Sequence, residues 1–164
     1  MGPRLNKVCV GGTFDMMHKG HRALLSRAFE EGKHVVIGVS SDSFVRATGK
    51  RHDVQSYEDR VDALRSYLEN SRLLRTTIVP LDDRYGPSVT DPQMEGIVVS
   101  TETVGQTVMI NRLRVARQLA PLEVIVVDLV AADDGRRISS TRIRRGQIDS
   151  EGRVTEARRV RRKD

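Results

Sequence analysis

One cysteine, no tryptophan, three phenylalanines and three tyrosines are all that 164 residues hold of these types. A lone cysteine excludes an intrachain disulfide and a multi-cysteine zinc site. Cys9 lies in the apolar run Val8-Cys9-Val10, which suits a small buried side chain rather than a reactive thiol. So few aromatics leave little material for the base-stacking platforms of single-strand-binding proteins. No apolar run is long enough to span a bilayer, and the opening Met1-Gly2-Pro3-Arg4-Leu5-Asn6-Lys7 has no apolar signal core. The expectation is a cytoplasmic protein with no membrane partner. HExxH, Walker A and paired-carboxylate patterns are absent, so no protein-built metal site is expected. Nothing in the sequence sets an oligomeric state.

What is present reads as a soluble globular domain: 38% hydrophobic and 30% charged residues, in a chain long enough for a full α/β core. The net charge of +6 is unevenly placed. Arg158, Arg159, Arg161, Arg162 and Lys163 crowd the end of the chain, and Arg136, Arg137, Arg142, Arg144 and Arg145 form an inner cluster. Residues 1–150 read as one domain and 151–164 as a basic tail, helical or disordered. Such a tail raises nucleic-acid binding as a function, but most basic tails are simply solvated. The inner cluster suits a smaller target, a triphosphate.

Apolar runs at 7–10, 34–40, 73–81, 96–100 and 123–128 read as strands alternating with helices. Helical spacing covers 18–31, closed by Gly32. A short turn starts at Ser41 or Asp42. A helix capped by Ser56 buries Val61, Leu64 and Leu68, and another spans 103–119, ended before Pro121. Ser139 or Ser140 caps a last short helix that Gly146 closes. Residues 47–53 and 82–92 read as loops, and Arg112 and Arg114 as surface charge on the long helix. The fold expected is α/β, a Rossmann-like doubly wound sheet of about five parallel strands with helices on both faces and ligands beyond the carboxyl ends of the strands.

The chemistry concentrates where the first strand meets the first helix. Gly11 and Gly12 permit close backbone approach to a ligand. His18 and His21, three apart at the helix start, share a face, and a helix N-terminus suits phosphate. The stretch Gly12-Thr13-Phe14-Asp15-Met16-Met17-His18-Lys19-Gly20-His21 resembles the GTFDxxHxGH motif of the HxGH nucleotidyltransferase superfamily. Ile138-Ser139-Ser140-Thr141-Arg142-Ile143-Arg144 resembles its ISSTxIR motif. The intervening stretches 84–92, 98–103 and 119–123 are similar to archaeal-type phosphopantetheine adenylyltransferases and to the matching domain of eukaryotic CoA synthase.

That resemblance implies adenylyl transfer from ATP to 4′-phosphopantetheine, giving dephospho-CoA and pyrophosphate, by in-line attack without a covalent intermediate. It implies His21 as the leading catalytic residue. From the residues themselves, His18 is its partner, and Lys50 or its neighbour Arg51 is the candidate to neutralise phosphate charge; both histidines are expected to be partly protonated near the polyanion. ATP would meet Gly12, Thr13, Phe14, His18, Gly20, His21, Ser139, Ser140, Thr141 and Arg144, with Arg142 as a second cationic fork. The acceptor would meet Thr13, Lys50 and Tyr85, with Asp82 and Asp83 as weaker candidates. Asp15 holds the turn or assists a metal. Mg²⁺ would arrive with the nucleotide. Bacterial relatives place substrate-binding arginines after the fourth strand, where this sequence has Ser100-Thr101-Glu102-Thr103. The alternatives are another small-molecule nucleotidyl transfer, of the FAD synthetase or cytidylyltransferase type, and nucleic-acid binding through the tail.

Overall fold

The computed structural model describes residues 2–49 and 53–155. Lys50, Arg51 and the basic residues from 156 onward, all singled out above, lie outside the described residues. The elements run β1 (Leu5–Gly12), α1 (Lys19–Glu31), β2 (Gly32–Ser40), α2 (Asp42–Ala47), α3 (Tyr57–Leu73), β3 (Thr76–Leu81), a 3₁₀ turn (Gly86–Val89), β4 (Gly96–Ser100), α4 (Gln106–Ala116), β5 (Glu123–Val127) and α5 (Ser140–Arg144).

The five strands form one sheet in the order β3-β2-β1-β4-β5, every pairing parallel. This is the expected doubly wound arrangement. Alternation along each strand divides the core in two. Val8, Val10, Val35, Ile37 and Val39 face a layer built from Leu25, Ala28 and Phe29 of α1 and Val61, Leu64 and Leu68 of α3. Cys9, Val36, Ile97 and Val99 face the opposite layer, with Ile110 of α4, Val89 and Met94. Cys9 is buried as expected, and desolvation pushes its thiol up to about 12, so it is inert at neutral pH.

Several boundaries move, each for a local reason. The third strand starts at Thr76, not 73, because Leu73 ends α3 and Leu74 lies 89% exposed in the turn after it. The apolar pair mimicked a strand start. The long helix starts at Gln106 rather than 103: the Thr103 and Val104 amides donate back to the Ser100 carbonyl in a turn, and Gly105 supplies no side-chain cap. Gly32 ends α1 in an extended conformation (φ −108°) and begins β2, where a side chain would stand 2.4 Å from Val8 Cγ2. Gly146 closes the last helix with φ +63°, as expected.

Arg114 is no surface charge. It is fully buried, and its guanidinium donates to the carbonyls of Ala120 (2.7 Å), Ser88 (2.8 Å), Asp91 (2.9 Å) and Met94 (3.2 Å). Arg60 of α3 is its counterpart on the other side of the sheet. Also fully buried, it donates to the carbonyls of Thr13 (2.8 Å), Ser40 (2.7 Å) and Gln55 (2.9 Å) and to Asp42 Oδ1 (2.9 Å).

Residues 147–155 continue the body of the domain. Ile148 pairs with Val154 as an isolated antiparallel bridge and joins a small apolar cluster with Ala132 and Ile138. The Lys19 amide, first of α1, donates to the Ser150 carbonyl at 2.9 Å, and Arg22 pairs with Glu151.

Candidate active site

β1 lies between β2 and β4, where the order of the sheet reverses. Strand ends on either side of such a point diverge and leave a crevice. A cleft of about 860 Å³ occupies it, lined from Leu81 and Tyr85 at one end to Leu129 and Ser139 at the other, with the β1–α1 turn in the middle. Phe14 and Met16 in that turn hold positive φ angles of 54° and 49°, a left-handed conformation costly for bulky residues. The turn is held from several sides. Arg60 grips the Thr13 carbonyl, Gln55 Oε1 accepts from the Met16 amide (2.9 Å), and Ser140 Oγ donates to the Asp15 carbonyl (2.6 Å).

His18 is the N-cap of α1. Its Nδ1 accepts from the amides of Gly20 (3.1 Å) and His21 (3.4 Å), while His21 Nδ1 accepts from the His18 amide (3.3 Å). The pair is a capping box built from imidazoles, with the rings stacked at 3.7 Å between centroids and 19° between planes. Gly20 makes the stack possible: a Cβ there would stand 2.9 Å from His18 Cε1 and 3.1 Å from Nδ1. His18 is buried, and its pKa is pushed down to about 4 by that burial, with Arg22 adding to the effect and Asp15 opposing it. His18 is a neutral imidazole that accepts at Nδ1 and carries its proton on Nε2. The Phe14 ring, 1% exposed, packs 5.4 Å from that of His21.

The second motif docks on the first through Asp15. Asp15 is 4% exposed; its carboxylate accepts from Arg144 Nη1 (2.5 Å) and the Gln55 amide (3.0 Å). Arg144 also donates to the Asp53 carbonyl (3.1 Å). Ser139 Oγ caps α5 by accepting from the Arg142 amide. The hydroxyls of Ser139 and Ser140 are thus engaged in shaping the turn, and Thr141 is exposed beside them. Arg142 is corrected from a phosphate donor to a structural clasp: it is buried and donates to the Arg137 carbonyl (2.8 Å) and to Asp134 Oδ2 (2.5 Å).

The cleft therefore brings together Gly12, Thr13, Phe14, Asp15, His18, Gly20, His21, Tyr85, Ser139, Ser140, Thr141 and Arg144, whereas Arg142, Asp82 and Asp83, also expected from the sequence, are not part of its lining. Tyr85 comes from the loop after β3, where Asp83 Oδ1 accepts from the amides of Tyr85 and Gly86 at 2.8 Å; these bonds hold the Asp83 carboxyl below its usual pKa. Sequence reasoning missed Gln55 and Arg60, which support the turn from behind. The mouth of the cleft carries a further ion pair, Arg137 with Glu102, half-exposed on both sides. Among the described residues no helix is long and apolar enough to cross a membrane. Nor do three His, Cys, Asp or Glu side chains gather there to hold a metal ion.

The chain matches the cytidylyltransferase-like family model over residues 9–146. It is 50% identical over 147 residues to a phosphopantetheine adenylyltransferase of Methanopyrus kandleri, covering 89% of this chain and 92% of that protein. A phosphopantetheine adenylyltransferase of Methanothermobacter thermautotrophicus is 46% identical over 154 residues, covering 94% and 92%. This chain belongs to the phosphopantetheine adenylyltransferase family. Among solved structures, an Archaeoglobus fulgidus protein of unknown function superposes with a TM-score of 0.64 at 27% identity, covering 81% of this chain and 99% of that one. A Thermus thermophilus pantothenate synthetase does so with a TM-score of 0.57 at 20% identity, covering 87% and 62%, a likeness of fold alone. The family's HxGH signature is here the stacked His18–His21 cap, and its ISSTxIR segment is the α5 start that anchors Asp15.

Proposed function

We propose that this chain transfers the adenylyl group of ATP to 4′-phosphopantetheine. An oxygen of the acceptor phosphate attacks the α-phosphorus, the bond to the bridging oxygen breaks, and pyrophosphate leaves with that oxygen; dephospho-CoA is the product. The observation that carries this reading is the pair of stacked imidazoles at the sheet's reversal point, opening onto a cleft shared with α5. No proton has to leave the attacking phosphate oxygen at neutral pH, so the protein's task is alignment and charge stabilisation. His18 and His21 act as Nε2–H donors to phosphate oxygens, with His21 the principal one at the reacting centre. Thr13 meets the acceptor phosphate. Lys50 neutralises charge on it. The backbone around Gly12 and Gly20, and the Ser139–Thr141 segment, receive the triphosphate; Arg144, held in place by Asp15, faces it as a fixed cation. Tyr85 borders the acceptor's organic arm.

Mg²⁺ fits this site as a passenger on the triphosphate. Asp15 is already neutralised by Arg144, so the metal would be held by phosphate oxygens and water, where it screens the polyanion. The setting proposed is cytoplasmic, and residues 156–164 are dispensable for turnover. The deciding experiment supplies ATP or CTP with phosphopantetheine or FMN and follows pyrophosphate. ATP with phosphopantetheine should be the productive pair, and His21→Ala should lower its kcat by about 10²–10³-fold. An undiminished rate in that variant, or preference for CTP or FMN, would overturn the proposal.

A further inference from the structure

The cleft is chemically divided. Its middle and the α5 end present imidazoles, hydroxyls and Arg144, suited to a polyanion. The other end, bordered by the loop after β3, is lined by the apolar Leu81, Val36 and Ile110 and, from the loop itself, by Arg84, Tyr85, Pro87 and Ser88. That apolar end suits the long uncharged arm of phosphopantetheine and not a triphosphate. The loop forming its wall is irregular apart from the 3₁₀ turn, and irregular backbone keeps its shape only where something holds it. Two side chains do so. Asp83 ties the Tyr85–Gly86 turn from the solvent side. From behind, Arg114 takes the carbonyls of Ser88 and Asp91 at one nitrogen, and those of Met94 and Ala120 at the others. Ser88 Oγ in turn donates to the Tyr85 carbonyl at 2.5 Å.

We propose that Arg114 is a positioning residue for the acceptor: from α4 it fixes Ser88, through Ser88 the Tyr85 wall, and through that wall the fit of the pantetheine arm. The inference rests on the adenylyl-transfer reading only for the identity of the acceptor. A buried cation with four carbonyl acceptors is a costly way to secure a loop that a few apolar side chains would cover. Its fork reaches across the loop, the entry to β4 and the segment before β5 at once, so it fixes the apolar end of the cleft against the sheet. Arg60 serves the β1–α1 turn in the same manner, so each wall of the cleft has its own buried guanidinium.

The test is a split between the two substrates. Arg114→Lys keeps the charge but lacks the fork. It should raise KM for phosphopantetheine about tenfold while KM for ATP stays within about twofold. Arg114→Met should do so more strongly. Asp83→Ala loosens the same turn from the exposed side without a buried vacancy, should move KM for phosphopantetheine in the same direction, and decides the matter if the Arg114 variants do not fold. Equal changes in both KM values, or none, would overturn the inference. Titration calorimetry with phosphopantetheine, and separately with ATP, gives the same comparison as binding constants. Should the wild-type protein form no dephospho-CoA, the activity reading falls, while those titrations still decide the role of Arg114.

Discussion

Replacing Gly20 by alanine should separate stability from activity. A methyl group at this position would stand 2.9 Å from His18 Cε1, whereas ordinary contact begins at 3.4 Å, so the ring must retreat by about half an ångström. It cannot do so cheaply, being held by two amides at Nδ1 and by the His21 ring 3.7 Å away. Weakening the cap costs about 1 kcal/mol. Alanine within a helix gains up to about 1 kcal/mol over glycine. These offset, and the melting temperature should stay within about 5 °C of wild type. Catalysis has no such compensation, because the displaced stack moves the two donors off the phosphate path. A misplacement of about 1 Å costs about 10²-fold, so a displacement of about half that should lower kcat by about tenfold. Thermal denaturation and pyrophosphate release on the same preparations make the comparison. Activity within about threefold of wild type would refute the claim that the glycine exists to seat the ring.

Two further outcomes follow from the same contacts. The folded-state pKa of His18 lies near 4, below its ordinary 6.5, so the native protein binds fewer protons than the unfolded chain between those values. Its contribution is complete above pH 6.5 and is lost as pH falls through 4; at most about 3 kcal/mol is involved, measurable by urea unfolding, and His18→Asn, which keeps a capping oxygen, should flatten that slope. Arg60→Met strips the donor from three carbonyls and should cost about 3 kcal/mol, seen as a lower urea midpoint with an unchanged slope.

The strand-turn-helix start was legible because it is local. Glycines, a capping residue and apolar periodicity all lie within thirty residues of one another. The fourth strand, Gly96–Ser100, matches its expected bounds for the same reason. The buried arginines were not legible as such, because charge in one dimension reads as exposure. A signal was nonetheless present. Arg114 follows Thr107 and Ile110 at helical spacing, and Arg60 precedes Leu64 and Leu68 at the same spacing, so both lie on inward faces. What periodicity cannot supply is the acceptor of each N–H, since these are carbonyls of distant loops. Arg142 and Arg144 show the same limit: two positions apart in one motif, one clasps its own loop and the other crosses the domain to Asp15.

Arg144 meets Asp15, and Glu151 meets Arg22, across 129 positions of sequence in each case. The amide that opens α1 is closed by Ser150 as well. The start of α1 therefore waits for a segment synthesised 129 positions later to take its final shape. Such distant closures form slowly, so the nascent chain should build its sheet before it acquires the ability to grip a nucleotide.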